Sequence, residues 1–247
     1  MNKPVQSISD FDPHGRYTLE VIGAADKFNQ WTYQTISPYL KGNVLEIGSG
    51  IGNISNYAIH AGHHITLSDF NPAYQRSLSN RFAGHANVES VISIDLQHPT
   101  FETTYQSLSK KFDSIFLLNV IEHLENDSIA VRNCRFLLKH NGHLIVLAPS
   151  YPFLFCELDR RLGHYRRYTT NTLARLFPEN GLTVIHRQYF NFAGIGGWFL
   201  FGKLLGRASI GGEMKWYNRL VPLFRLLDKM VFHKAGLSSI VVAKLSE

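Results

Sequence analysis

Between residues 43 and 150, short apolar segments alternate with amphipathic ones, and this alternation restricts the folds that the chain can adopt. The apolar segments predict strands over 43–49, 64–70, 88–96, 112–120 and 142–150. The amphipathic segments predict helices over 53–61, 72–83, 103–110 and 127–139. Strands that are apolar on both faces and joined by helices form a mostly parallel sheet covered on both sides. Because such crossovers are right-handed, the prediction is a doubly wound α/β fold.

Two further strands are predicted after this alternation, over 182–191 and 238–245. No strand pattern separates them, so we interpret them as a hairpin-like pair with a long insertion. The predicted sheet is therefore seven-stranded, with helices on both faces and an antiparallel last strand. Residues 1–24 contain Pro, Gly and Asp and are expected to be irregular. A helical spacing of apolar residues follows and ends near Pro38.

Composition and charge exclude several classes of protein. With 45% hydrophobic and 18% charged residues, the chain is expected to be globular. Cys134 and Cys156 form no CxxC motif, and we expect both to be buried thiols in a reducing compartment. No apolar signal-peptide core begins the chain, so a cytoplasmic location is expected. A net charge of +6 is too small to predict binding to nucleic acid.

The stretch VLEIGSGIGN, residues 44–53, places a glycine-rich turn directly after the first predicted strand. In an open parallel sheet, ligands bind beyond the carboxyl ends of the strands. The dinucleotide fingerprint requires G-x-G-x-x-G/A, whereas Gly48, Gly50 and Gly52 are spaced as G-x-G-x-G, with Asn53 at the last small position. No G-K-[ST] follows, which excludes a Walker phosphate loop. A purely structural turn remains an alternative.

Polar residues follow the next three predicted strands as well. Asp69 is placed where an acid accepts the hydroxyls of a ribose, and Asp95 where a carboxylate accepts from an adenine amino group. Asn119, Glu122 and His123 follow the fourth strand. A helix cap and an exposed loop acid are the structural alternatives for the two aspartates. Because the carboxyl ends of parallel strands lie on one edge, all of these residues are expected there.

Together these motifs resemble the class I S-adenosylmethionine-dependent methyltransferases. The matching stretches, within residues 43–150, are LEIGSGIGN, LSDFNP, SIDL, FDSIFLLNVIEHL and GHLIVLAPS. The resemblance implies S-adenosylmethionine as cofactor. It implies the methionine part near the glycine turn, the ribose at Asp69, the adenine at Asp95 and Leu96, and the amino-acid end near Asn119. The residues expected to bind the cofactor are Tyr17, Glu46, Gly48, Ser49, Gly50, Gly52, Asp69, Phe70, Asp95, Leu96, Asn119 and Val120.

Such an enzyme must align an already activated methyl group with its acceptor, and an oxygen or nitrogen acceptor can also need a general base. His123 is the first candidate base, the alternative being a histidine that packs under the cofactor or orients a loop. The N-x-x-E-H pattern is similar to an acid-x-x-Glu-His pattern of quinone-pathway O-methyltransferases that are thought to bind a divalent ion. Asn119 replaces the first acid here, so no metal site is predicted.

The segment ELDRRLGHYRRYTTNTLARLF, residues 157–177, is rich in arginine and follows the fifth strand. Its GHYRRYT part resembles a bacterial branch of the same superfamily whose acceptor is often unassigned. We predict that it lies on the acceptor side, with His164 as a candidate base and Tyr165 as a stacking group. Arg166 and Arg167 then hold an acceptor anion or an internal acid such as Asp159. A solvated basic face leading into a helix is the alternative.

The later segments leave the acceptor open. The uncharged run over 188–202 is shorter than the ~20 residues of a membrane-spanning helix. With the basic and apolar residues that follow, it is a candidate lid, dimer face, lipid-contacting surface or core helix. No NPPY-type tetrapeptide of base N-methyltransferases follows the fourth strand, which continues as NVIE. We therefore expect a small-molecule or lipid-linked acceptor, with an anionic acceptor as one alternative, and no nucleic acid. Peripheral contact with a membrane is a further alternative.

We expect one methyltransferase domain over residues 1–247. Its segments are a lead-in and helix over 1–42, a cofactor-binding core over 43–150, an acceptor-side elaboration over 151–237 and a last strand over 238–247. Two alternatives remain, a nicotinamide-dependent oxidoreductase and a non-catalytic cofactor-binding or interaction module. Acceptor identity, the methylated atom and the oligomeric state are not predicted.

Overall fold

A computed structural model describes residues 13–206, 211 and 213–246. In this part of the chain, seven strands form one sheet. They are β1 (Asn43–Ile47), β2 (His64–Ser68), β3 (Val88–Ile92), β4 (Phe112–Leu118), β5 (Leu138–Pro149), β6 (Leu182–Phe190) and β7 (Ser238–Leu245). Their order across the sheet is β3-β2-β1-β4-β5-β7-β6. The order reverses beside β1, so β1 and β4 flank the switch point at which open α/β sheets bind ligands.

The pairing confirms the predicted mixture of directions. Strands β1 to β5 pair in parallel, and β7 runs antiparallel to both of its neighbours, β5 and β6. β5 begins at Leu138, earlier than predicted, because Leu138 pairs with Phe112 before the register shifts. β3 ends at Ile92, so Asp95 lies three residues beyond the strand instead of at its end. There the backbone N–H of Asp95 donates to the Tyr105 hydroxyl at 2.9 Å instead of to a neighbouring strand.

Helices cover both faces of the sheet. They are α1 (Pro13–Gly23), α2 (Asp26–Ile36), α3 (Ser55–His60), α4 (Pro72–Arg81), α5 (Phe101–Thr104), α6 (Asp127–Leu137), α7 (Glu157–Arg161), α8 (Thr170–Arg175), α9 (Phe192–Gly197) and α10 (Glu213–Met230). One cluster of buried side chains joins Val131 of α6 and Leu173 of α8 to the sheet. A second joins Trp31 of α2, Leu78 of α4 and Val221 of α10 to the other face. Successive residues of a strand point alternately into these two clusters, which explains why the strands are apolar at consecutive positions.

The N-terminal prediction was wrong where the structure describes it, because residues 13–23 form α1. Pro13 occupies the first helical position, where proline needs no hydrogen-bond donor, and Gly23 is the last residue of the helix. An i,i+4 ion pair joins Arg16 to Glu20 at 3.0 Å. Residues 1–12 lie outside the described part of the chain. α1 is important for the site because the backbone oxygen of Leu19 accepts a hydrogen bond from Asn53 of the glycine turn at 2.8 Å.

The insertion between β6 and β7 consists of helices, as far as it is described. α9 continues into a π-helix over Trp198–Leu204, and α10 follows. α10 packs on α2 and α9, so the insertion closes one side of the sheet. No helix in the described ranges is long and apolar enough to cross a bilayer. Cys134 and Cys156 are free and buried, as predicted.

Candidate functional site

The glycine turn after β1 has the backbone conformation that its spacing predicts. Gly48, Gly50 and Gly52 have φ values of 73°, 55° and 82°, a region that residues with a Cβ rarely adopt. A Cβ at Gly48 would lie 2.4 Å from Cγ2 of Val120, and one at Gly52 would lie 2.5 Å from Cε2 of Phe82. Each glycine is therefore required for close packing, and the turn presents backbone at the edge of the sheet.

Asp69 connects this turn to the end of β2. Its Oδ2 accepts the backbone N–H of Gly50 at 2.8 Å, and its Oδ1 accepts that of Asn71 at 2.9 Å. The backbone N–H groups of Gly48 and Ser49 both donate to the backbone oxygen of Ser68, at 2.8 and 2.9 Å. An ionised carboxylate accepts hydrogen bonds and donates none, which suits the hydroxyl groups of a ligand.

Glu46 lies under the turn and is buried. The Ser55 hydroxyl donates to its Oε2. Burial raises the pKa of Glu46 to about 8; hydrogen bonds from Ser55 and Ser49 oppose the rise, and the charge of Asp69 adds to it. At neutral pH the Glu46 carboxyl is therefore mainly protonated, which lets it donate as well as accept.

The other residues predicted to bind the cofactor differ in how exposed they are. Asn119 is exposed directly after β4, with a φ of 55°, and Phe70 is 61% exposed beside Asp69. Tyr17 is 47% exposed on α1. Asp95 is half-buried, and its Oδ1 accepts the Gln97 backbone N–H at 2.8 Å.

Leu96 differs from these residues because its side chain is buried in the hydrophobic cluster on the α6 side. Its backbone oxygen accepts a hydrogen bond from Asn133 at 2.9 Å. A contact of Leu96 with an adenine would therefore use its backbone N–H and not its side chain.

The two candidate bases, His123 and His164, lie against each other. Their ring centroids are 4.6 Å apart with an interplanar angle of 87°. His123 is exposed in a 3₁₀ turn after β4, and His164 is half-buried in the segment after β5. The two meet because β4 and β5 are neighbours in the sheet. Sequence spacing alone did not predict this contact.

Glu122 was predicted to follow the fourth strand, but no cofactor-binding or catalytic role was predicted for it. It is fully buried, and its Oε1 lies 4.0 Å from Nε2 of His164. Burial raises the pKa of Glu122 to about 8; the charge of Arg167 opposes this rise, and that of Asp159 adds to it. The only sequence signal was its position beside His123 at the sheet edge.

Arg167 forms the predicted internal ion pair with Asp159, whereas Arg166 pairs with Asp127, an acid that was not predicted. Nε of Arg167 donates to Oδ1 of Asp159 at 2.8 Å, and its guanidinium lies 4.3 Å from the ring centre of Trp198. Arg166 pairs with Asp127 at 3.1 Å. Burial opposes ionisation of Asp159, yet hydrogen bonds from His164 and Arg167 and the charge of Arg167 hold its pKa below the usual value.

Tyr165, by contrast, is 56% exposed beside these ion pairs. Its backbone N–H donates to the backbone oxygen of Glu122 at 2.8 Å, which connects the arginine-rich segment to the turn after β4. The predicted acceptor-side groups His164 and Tyr165 therefore lie at the same edge as His123.

The residues at this edge fit the cofactor that the resemblance implies. A close glycine backbone suits the amino-acid part, Asp69 suits ribose hydroxyls, and the exposed Phe70 offers a surface for a base. A separate surface groove of about 720 Å³ lies between α8 and β6, lined by Asn171, Arg175 and His186 among others. None of the predicted site residues lines that groove.

Comparison with known proteins agrees with this assignment. A family profile described as a methyltransferase domain matches residues 16–187. A ubiquinone biosynthesis O-methyltransferase of Xylella fastidiosa is 28% identical over 109 residues, which are 44% of this chain and 42% of that protein. The chain thus aligns with less than half the length of the curated relatives it matches.

Solved structures show the same fold. Phosphoethanolamine N-methyltransferase 2 of Haemonchus contortus, in complex with S-adenosyl-L-methionine, has a TM-score of 0.63 and 17% identity and covers 100% of this chain and 62% of its own. A SAM-dependent methyltransferase of Archaeoglobus fulgidus has a TM-score of 0.62 and 16% identity, over 94% of this chain and 100% of its own. Since the family profile spans more than half of the sequence, the chain belongs to the methyltransferase domain family, whose methyl donor is S-adenosylmethionine.

Proposed function

We propose that the protein transfers a methyl group to an oxygen or nitrogen atom of a small-molecule or lipid-linked acceptor. The observation that carries this proposal is the exposed imidazole of His123 beside the glycine turn. The backbone N–H of His123 donates to the Val120 oxygen at 3.0 Å, and the side chain of Val120 packs against Gly48. A titratable group thus lies three residues after Val120, whose side chain packs on the backbone that is proposed to hold the methyl donor.

The chain's own residues have two tasks in this reaction, orienting the reactants and accepting a proton. The glycine turn, Asp69 and Asn119 hold and orient the cofactor. When bound, the cofactor supplies a methyl group already activated on a sulfonium, so the chain need not supply a nucleophile. Fixing two reactants in the right orientation lowers a barrier by roughly 7–11 kcal/mol. His123 accepts the proton that an oxygen or nitrogen acceptor loses, and His164, oriented by Asp159, borders the same space.

Two observations support an oxygen atom and a lipid-linked acceptor. The name of the Xylella fastidiosa relative, an O-methyltransferase, favours oxygen. Helix α10 carries a stripe of exposed large apolar residues, namely Trp216, Leu220, Leu223, Leu226 and Met230. Lys215, Arg219 and Lys229 are exposed along it, whereas Asp228 is buried. Apolar residues flanked by basic ones are typical of a helix that rests on an anionic membrane surface.

Radiolabel transfer from S-adenosylmethionine to a panel of phenols, amines and lipid-linked phenols tests the proposal. We expect transfer to a hydroxyl-bearing member, and a loss of turnover of about 10²–10⁴-fold in His123→Ala, because that variant lacks the general base. Cofactor affinity should stay nearly unchanged. His140→Ala is the control, since His140 is also exposed but lies away from this edge. Full turnover in His123→Ala would show that the imidazole is not the base.

A further inference from the structure

The Glu122 carboxyl is buried without a hydrogen-bond partner on another residue in the described part of the chain. Its side chain has no exposed surface, and neither Oε1 nor Oε2 receives a hydrogen bond from a neighbouring side chain. Burying a polar group without a partner costs several kcal/mol, roughly 2–7 on transfer scales. A protonated Glu122 would reduce the charge but would still leave its O–H without an acceptor. Both oxygens are therefore open to a further ligand.

Two imidazoles face the same space. One ligand atom each from Glu122, His123 and His164 lies within 4.8 Å of the others. The distance of 4.0 Å between Nε2 of His164 and Oε1 of Glu122 is too long for a hydrogen bond. In a tetrahedral zinc site each ligand atom lies roughly 2.0–2.2 Å from the ion. Two ligand atoms of one such ion are therefore separated by a distance only slightly shorter than the 4.0 Å between His164 and Glu122. Small side-chain rotations would bring the three atoms onto one ion.

We propose that Glu122, His123 and His164 bind a divalent transition-metal ion of the zinc type, with at least one coordination position left open. Two histidines and one carboxylate are a ligand set of catalytic zinc sites, in which a water or substrate atom takes the next position. Borderline nitrogen ligands favour such ions over magnesium or calcium, which prefer oxygen. The proposal differs from the sequence prediction of no metal site, because the third ligand would come from the segment after β5 and not from position 119.

The surroundings of His164 support the same assignment. Its Nδ1 lies 2.8 Å from Oδ1 of Asp159, which fixes the ring and directs Nε2 towards Glu122. A carboxylate on the far nitrogen is the usual support of a metal-binding histidine. Arg167 neutralises Asp159 within the buried cluster, at 2.8 Å. Asp159 is thus a positioning residue for the ion site.

Calorimetric titration of the chelator-treated full chain with ZnCl₂ tests the site. We expect about one ion per chain, with affinity reduced at least tenfold in Glu122→Gln and in His123→Ala, since each variant removes a ligand. Asp159→Asn should weaken binding by roughly 10–100-fold, the usual effect of removing the group that orients a metal ligand. Glu125→Gln and His140→Ala are matched controls, because both residues are exposed. Cobalt in place of zinc should give the intense visible absorption of a four-coordinate site in wild type and in the two control variants, but not in Glu122→Gln or His123→Ala.

The result that overturns the inference is zinc binding as tight in both His123→Ala and Glu122→Gln as in wild type, or no binding to wild type at all. Because His123 is exposed, its variant tests the site even if Glu122→Gln does not fold. The inference does not depend on the methyl-transfer proposal, but it changes one role in it. If the ion is bound, the His123 imidazole holds it and cannot also accept the acceptor's proton, so that role would pass to a water in the open coordination position. Calorimetry with S-adenosylhomocysteine in the presence of chelator measures cofactor binding separately, so each idea fails on its own measurement.

Discussion

Replacing Asp69 with alanine removes the acid that joins the glycine turn to the end of β2. In the structure its two oxygens accept the backbone N–H groups of Gly50 and Asn71, at 2.8 and 2.9 Å. If Asp69 also binds the ribose, the variant loses a charged acceptor for a ligand hydroxyl. We therefore expect Asp69→Ala to affect both cofactor affinity and stability, through different hydrogen bonds.

The two effects have separate magnitudes. A hydrogen bond to a charged group contributes roughly 1.5–3 kcal/mol, and every 1.4 kcal/mol is about tenfold in affinity, so cofactor binding should weaken by about 10–100-fold. The N–H of Gly50 is left buried without an acceptor, which costs about 1–3 kcal/mol of folding free energy. Asp69→Asn keeps one acceptor oxygen and should lose less on both counts.

Calorimetry with S-adenosylhomocysteine measures the first effect, and urea unfolding measures the second. Glu102→Ala, which removes an exposed carboxylate elsewhere, controls for the change in net charge. A folded Asp69→Ala protein with wild-type affinity would refute the reasoning and show that Asp69 only closes the turn. Tight binding of a nicotinamide dinucleotide in place of the sulfonium ligand would refute the cofactor assignment itself.

Two further predictions concern the buried carboxyl of Glu46 and the exposed apolar residues of α10. Because the folded-state pKa of Glu46 is about 8, above the ordinary 4.5, its stabilising contribution is full below pH 4.5 and is lost as the pH rises to about 8. Urea unfolding at pH 5 and pH 8 should therefore show a smaller pH-dependent loss of stability in Glu46→Gln; equal losses would contradict the raised pKa. Replacing Trp216 and Leu223 with glutamate should reduce sedimentation with phosphatidylglycerol vesicles, whereas the exposed control Ile185→Glu should not; unchanged sedimentation would remove α10 as a membrane surface.

The strand positions could be predicted because each strand is buried on both sides. Phe116 packs on one face and Ile115 on the other, so β4 is apolar at every central position. α1 could not be predicted in the same way, because proline and glycine usually interrupt helices. Here Pro13 and Gly23 lie at the two ends of the helix, where both residue types are tolerated. The end of β3 was placed too late because Asp95 pairs with a tyrosine hydroxyl, a partner that no periodicity indicates.

The conformation of the glycine turn and the position of Asp69 could be predicted because both are local in sequence. The positive φ angles of the glycine turn follow from the glycines themselves, and Asp69 follows β2 directly. The acceptor side depends instead on a contact between two distant segments. His164 reaches Glu122 only because β5 lies beside β4 and because a buried Arg167–Asp159 pair fixes the segment after β5.

That pair also changes how the arginine-rich segment should be understood. Arg167 is buried and committed to Asp159, and Arg166 is paired with Asp127, so neither guanidinium is the first candidate for an acceptor anion. Hydrogen bonds from His164 and Arg167 and the charge of Arg167 instead keep the pKa of Asp159 low, and Asp159 in turn orients His164. The basic character of the segment therefore reflects the electrostatics of a buried carboxylate. If the acceptor binds at this edge as proposed, its selection then depends on the exposed groups His123 and Tyr165 and on the ion proposed at Glu122.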